Sequence, residues 1–172
     1  PDHLGSGADH STWWRFTLGS QRNAAVRVCP TGGAQIPTVA VYAAPYPTPM
    51  ATLAQQTAVG TTTVDAGCRR VALRRATGHH YFVIDGGSAG DQGAFTVSFA
   101  EAPANDDQQS AQTVSGTGTV NGTTFAATRE DGELTHAGQT GQGSVWYRWT
   151  PVVSGPVEID VCNAAFDSVI AL

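Results

Sequence analysis

The chain has 172 residues, a formal net charge of −5, 41% hydrophobic and only 13% charged residues. That length holds one full-sized β domain or parts of two, and the composition is globular rather than disordered or coiled-coil. The acidic balance argues against a nucleic-acid partner, and no apolar run reaches the roughly 18 residues that a membrane span needs. The chain begins at Pro1 without a leader-like stretch, which reads as a mature product or an excerpt.

Taken in chain order, Ser11-Thr12-Trp13-Trp14-Arg15-Phe16-Thr17 is aromatic and β-prone, and Val26-Arg27-Val28-Cys29 follows it. Residues 39–42 predict a strand, and residues 50–56 a single helical turn. Further strands are expected at residues 70–74, 80–84 and 94–99, where Phe95, Val97 and Phe99 share a face. Residues 113–120 and 123–128 read as weaker strands. Residues 145–150 are again aromatic, and residues 151–156 form a turn stretch. Val157, Ile159 and Val161 then alternate with Glu158, Asp160 and Cys162, so the pair reads as a hairpin. Residues 169–172 open another strand. Many short strands between Gly, Asn, Asp and Pro turns imply an all-β antiparallel sandwich, jelly-roll-like.

The chain also repeats itself. His136, Gly138, Ser144, Trp146, Arg148, Thr150, Val161 and Cys162 follow His3, Gly5, Ser11, Trp13, Arg15, Thr17, Val28 and Cys29, each by 133 positions. After three extra residues in the first copy, Phe166-Asp167-Ser168-Val169 follows Ile36-Pro37-Thr38-Val39 by 130. A period of that size is a domain, not a solenoid unit. Residues 1–103 are therefore expected to be a first repeat lacking its N-terminal strands, and residues 104–172 the opening part of a second. The linker lies around Glu101-Ala102-Pro103-Ala104.

Three cysteines are an odd count. Cys29 and Cys68 both fall in the first copy, and Cys162 is the counterpart of Cys29. This predicts a Cys29–Cys68 disulfide, an unpaired Cys162 and an oxidising, extracellular compartment. The alternative is three small buried hydrophobes.

Ser144-Val145-Trp146-Tyr147-Arg148-Trp149-Thr150, Val157-Glu158-Ile159-Asp160-Val161-Cys162 and Phe166-Asp167-Ser168-Val169 resemble the bacterial pre-peptidase C-terminal (PPC) type of domain. In the first copy, Ala76-Thr77-Gly78-His79-His80-Tyr81-Phe82-Val83-Ile84-Asp85-Gly86 is similar to the family's penultimate hairpin. Gly93-Ala94-Phe95-Thr96-Val97 is similar to its last strand. Pro37 departs from the pattern where the second copy has Asp167. The resemblance implies a sandwich of antiparallel strands that serves secreted proteases and bacterial surface proteins as spacer, adhesion unit or binding domain. Fold alone does not fix which.

Calcium is the one cofactor to weigh. Glu101, Asn105, Asp106 and Asp107 crowd one linker, and a hard cation wants several oxygen ligands. Resemblance to collagen-binding relatives implies such a role for Glu101, Asn105 and Asp106; the alternative is a solvated acidic linker of turn formers. Asp85 and Asp91 flank the Gly86-Gly87-Ser88-Ala89-Gly90 stretch, which reads as turn chemistry. His79-His80 lacks the further ligands of a zinc site and reads as an exposed turn. His3 and His136 read as hydrogen-bonded turn histidines. Arg69, Arg70, Arg74 and Arg75 form a basic cluster, with Arg70 and Arg74 on a solvated strand face. Trp13 and Arg15 share a face, as do Trp146 and Arg148. They read as near-core packing with Arg stacked on Trp, against an exposed sugar-binding platform.

The Gly-x-Ser-x-Gly spacing of Gly86-Gly87-Ser88-Ala89-Gly90 reads as turn chemistry rather than a nucleophile elbow, and no other nucleophile context is evident. The sequence therefore points to a non-catalytic extracellular structural or adhesive repeat at a bacterial surface. In one variant it is a filament subunit completed by strand exchange with other copies of itself. The alternative is an accessory module of a secreted protease or other hydrolase, binding protein or polysaccharide.

Overall fold

The computed structural model describes residues 10–32, 35–53, 57–88, 90–141 and 143–172. The His3-Leu4-Gly5 part of the repeat lies outside them. The chain divides into two compact units, Pro1–Ala102 and Pro103–Leu172. It is nearly all β.

The first unit holds β1 (Thr12–Pro30), β2 (Thr38–Ala43), the one-turn helix α1 (Met50–Leu53), β3 (Thr61–Asp65), β4 (Cys68–Asp85) and β5 (Phe95–Glu101). They form one antiparallel sheet in the order β2-β4-β1-β5, with β3 also paired to β4. The ladder between β1 and β4 runs from Thr12 opposite Ile84 to Val28 opposite Arg69.

The strands expected at 70–74 and 80–84 are one strand, and the β-prone stretches at 11–17 and 26–29 are another. Residues 18–23 and 76–78 have the composition of hairpin turns, yet the chain does not reverse there. Both strands continue through a bend, and the turn-forming residues of one face those of the other. The register slips between Leu18 and Ala24, which is a bulge. Opposite it, Arg75 (φ 48°) and Gly78 (φ 83°) take left-handed backbone. Asn23 Oδ1 accepts the Arg75 N–H at 2.8 Å across the gap. The irregularity is a corner, at which both long strands bend.

The bend folds β1 double. Straight, its 19 residues would span about 60 Å; instead Thr12 and Pro30 line the same cleft. One core cluster accordingly draws Val26, Val28, Val71 and Leu73 from one side of the corner and Val39, Val41, Phe82 and Ile84 from the other. These pairs are two residues apart along each strand, the period that sends side chains to one face. Each is at most 5% exposed, and burying such a side chain contributes about 1.5–3 kcal/mol. On the opposite face of β2 and β4, Ala40, Tyr42, Ala44 and Val83 pack under Leu53 of α1.

The Cys29–Cys68 disulfide is present, closing the end of β1 onto the start of β4 with Cα atoms 4.3 Å apart. Cys162 is free and exposed.

The second unit has a 3₁₀ turn at Gln108–Ser110, β6 (Gln112–Val114) and β7 (Tyr147–Trp149). β6 and β7 pair in parallel, an exception to the antiparallel expectation. Trp146 seeds the pair: its N–H donates to Asn105 O at 2.8 Å, and its carbonyl accepts from Gln112 N–H at 2.9 Å and Asn105 Nδ2 at 3.0 Å. The strands expected over 115–120, 123–128, 157–162 and 169–172 are not formed. Val157, Ile159 and Val161 are 54%, 41% and 51% exposed. The reason is pairing. In the first unit, residues 24–29 lie between β4 and β5. Among the described residues no strand lies alongside residues 157–162, which have no ladder to join.

Candidate functional site

The linker residues anticipated as calcium ligands carry protein partners. Glu101 ends β5 opposite Ala24, and its carboxylate lies 3.7 Å from Arg22 Nε at the surface. Asp106 is 3% exposed. One of its oxygens accepts the Thr128 N–H, and the other accepts Thr128 Oγ1 at 2.7 Å. Asn105 holds Trp146, and Asp107 precedes the 3₁₀ turn. These bonds make Asp106 a clasp for residue 128 and give the calcium expectation no support. Among the described residues no group of three or more His, Cys, Asp or Glu gathers as a metal site.

A second clasp was not anticipated. Glu133 accepts Ser144 Oγ at 2.7 Å and His136 Nε2 at 2.9 Å on one oxygen, and the Glu130 N–H at 2.9 Å on the other. Burial pushes this carboxyl up. The hydrogen bonds from Ser144, Glu130 and His136, with the His136 charge, outweigh that and hold it below its ordinary 4.5. Serine, histidine and carboxylate meet here, but in the wrong order for nucleophilic catalysis. The hydroxyl donates to the carboxylate and not to the imidazole, so the serine–histidine contact of a Ser-His-Asp arrangement is not made. The cluster ties residues 130–144 together. Its only sequence signal is the three-residue spacing of Glu133 and His136.

The histidine pair is not an exposed turn. His79 and His80 sit within β4, opposite Thr17 and Phe16. His80 is 2% exposed and stacked on the Phe16 ring at 5.1 Å. Burial, aided by the His79 charge, holds its pKa below the ordinary 6.5 despite a bond to Gly78 O. His79 Nδ1 meets Thr17 Oγ1 at 2.8 Å. His136 lies in a turn bridged to Gln139; His3 lies outside the described residues. The solvated-face expectation fails for Arg70, which is 8% exposed between Arg27 and Thr63 in the sheet.

The aromatic pattern differs from expectation in its partners. Trp13 stacks on Tyr42 at 6.0 Å, and its Nε1 donates to Ser11 Oγ at 3.2 Å. Arg15 lies 3.7 Å over the Tyr46 ring, not over Trp13. Trp14 and Tyr46 are 47% and 57% exposed.

The first unit has a cleft of about 420 Å³ at one end of its sheet. The start of β1, the end of β4 and the start of β5 meet there. Asp85 and Asp91 both line it, the former 3% exposed. Asp85 Oδ1 accepts the Gly86 N–H at 2.9 Å; Oδ2 is buried without a hydrogen-bond partner among the described residues. Sequence reasoning placed these residues in a turn and missed the cleft, which forms only because β1 doubles back.

No family model, curated protein or solved structure matches the chain.

Proposed function

We propose that the chain is a non-catalytic structural or adhesive repeat of an extracellular protein, built of PPC-like β-sandwich modules. One observation carries the reading. The same strand motif occurs twice, once paired inside a disulfide-closed sheet and once with its alternating apolar residues in solvent. The doubled course of β1 supports two facing layers, hence a sandwich. The disulfide fits an oxidising compartment, and among the described residues no helix is long and apolar enough to cross a membrane.

Unpaired apolar strands seek a sheet. In this reading residues 157–172 of one copy join another copy, as in a filament completed by strand exchange. Sedimentation equilibrium across a wide concentration range tests it. Association is expected to weaken in Val157→Asp and Ile159→Asp. A wild-type chain that stays monomeric at the highest soluble concentration eliminates the assembly.

Half-exposed Trp14 and Tyr46, with Arg15 on the latter, favour a second reading as the binding module of a secreted hydrolase. Glycan-array binding lost in Trp14→Ala would support it.

A further inference from the structure

We propose that the end cleft of the first unit is a calcium site organised by Asp85 and Asp91, separate from the acidic linker. Asp85 is 3% exposed, and its Oδ2 has no hydrogen-bond partner among the described residues, while Oδ1 is held by Gly86. A buried carboxylate oxygen in that state is rare and demands a counterpart.

The cleft lining says which kind. Its described lining contains two carboxylates, the His10 imidazole beside Gln92 and none of the chain's nine arginines, so no permanent cation of the lining neutralises it. The other polar side chains are those of Thr12, Gln35 and Gln92, and no sulfur is present among the described lining residues. Oxygen donors without thiolates select a hard cation.

The turn brings the second carboxylate close. A Cβ on Gly86 would stand 2.3 Å from Asp91 O, and one on Gly87 3.4 Å from Asp91 Oδ2. Glycine at 86 therefore lets the backbone of residue 91 lie against the residue that follows Asp85. Ser88 Oγ fixes Asp91 Oδ2 at 2.8 Å. Two carboxylates, completed by neutral side-chain and backbone oxygens of irregular placement, suit calcium better than magnesium, which demands near-ideal octahedral geometry. A low ligand charge places the site in the weak class of extracellular modules, about 10⁻⁴–10⁻³ M.

Calorimetric titration of the 172-residue chain with calcium chloride, beside magnesium chloride, tests the site. Wild type is expected to bind calcium in that range, and Asp91→Asn at least tenfold more weakly while keeping its circular dichroism and melting curve in chelator. Glu101→Gln should bind as wild type does. Amide shifts on adding calcium should centre on residues 85–91. Asp85→Asn probes the unpaired oxygen directly, and Asp91→Asn decides the matter if the former fails to fold. No calcium binding up to about 10 mM, ten times the weak end of that class, overturns the proposal. So does binding that survives Asp91→Asn, or shifts centred on residues 101–107.

Discussion

Residues 12–29 and 145–162 carry one pattern of aromatic, arginine, valine and cysteine, yet they end in different structures. In the first unit the pattern is a continuous strand, paired along its length with β4 and in its second half with β5. In the second unit only Tyr147–Trp149 is a strand, and it pairs in parallel with β6. The local side-chain bonds diverge too. Ser11 Oγ receives the Trp13 indole N–H, whereas Ser144 Oγ donates to Glu133 and the Trp146 indole nitrogen is buried without a partner. An alternating apolar sequence creates the capacity for a strand. Its neighbours in the sheet decide whether that capacity is used.

The largest effects should come from what locks the first unit. Opening the disulfide frees a loop of 39 residues, worth about 4 kcal/mol in the chain-entropy treatment. Cys29→Ala with Cys68→Ala should therefore shift urea unfolding of the first unit strongly, and Cys162→Ser should leave it unmoved. Equal effects would break the comparison. Next in size are the apolar residues. Leu73 is 2% exposed in the core, so Leu73→Ala is expected to destabilise the first unit by about 2–5 kcal/mol. Ile159→Ala, at a position 41% exposed, should stay within about 0.5 kcal/mol for a monomer.

The all-β class, the Cys29–Cys68 pairing and most strands of the first unit were legible because they rest on local alternation and counting. Val26/Val28 and Phe82/Ile84 each announce a buried face. The corner was not legible. Gly19-Ser20 and Thr77-Gly78 have turn composition, and composition alone does not separate a hairpin from a bulge shared by two long strands. The exposed course of residues 157–172 depends on ladder partners distant in sequence. The Asp106–Thr128 and Glu133–Ser144 clasps join residues 22 and 11 positions apart, where no spacing rule operates.

Within the second unit, the clasps should replace the missing core as determinants of stability. Asp106→Ala leaves the Thr128 N–H and hydroxyl without their carboxylate and should cost about 2–3 kcal/mol. Asp106→Asn keeps part of that pairing and should lie between, by chemical denaturation followed at Trp146 and Trp149. A smaller effect belongs to Glu133. Its folded pKa lies below the ordinary 4.5, so the unfolded chain takes up the proton first. The stabilisation is whole above pH 4.5 and is lost as pH falls through the folded value. Glu133→Gln should flatten the acid limb of second-unit unfolding.

His80 gives the first unit a different acid window, and the smallest of these effects. It is buried against Phe16, and burial holds its folded pKa below the ordinary 6.5. The folded state therefore favours the neutral ring, and the unfolded chain binds the proton first. Stability is full above pH 6.5 and declines as pH falls through the folded pKa. The first unit should begin to weaken on mild acidification, while the Glu133 clasp of the second unit is still intact. His80→Phe keeps a ring to stack on Phe16 and removes the titration, so first-unit stability measured from pH 7 to pH 5 should become flat. If His80→Phe leaves that slope unchanged, the acid sensitivity arises elsewhere, and the two units do not differ in the way their buried titratable groups require.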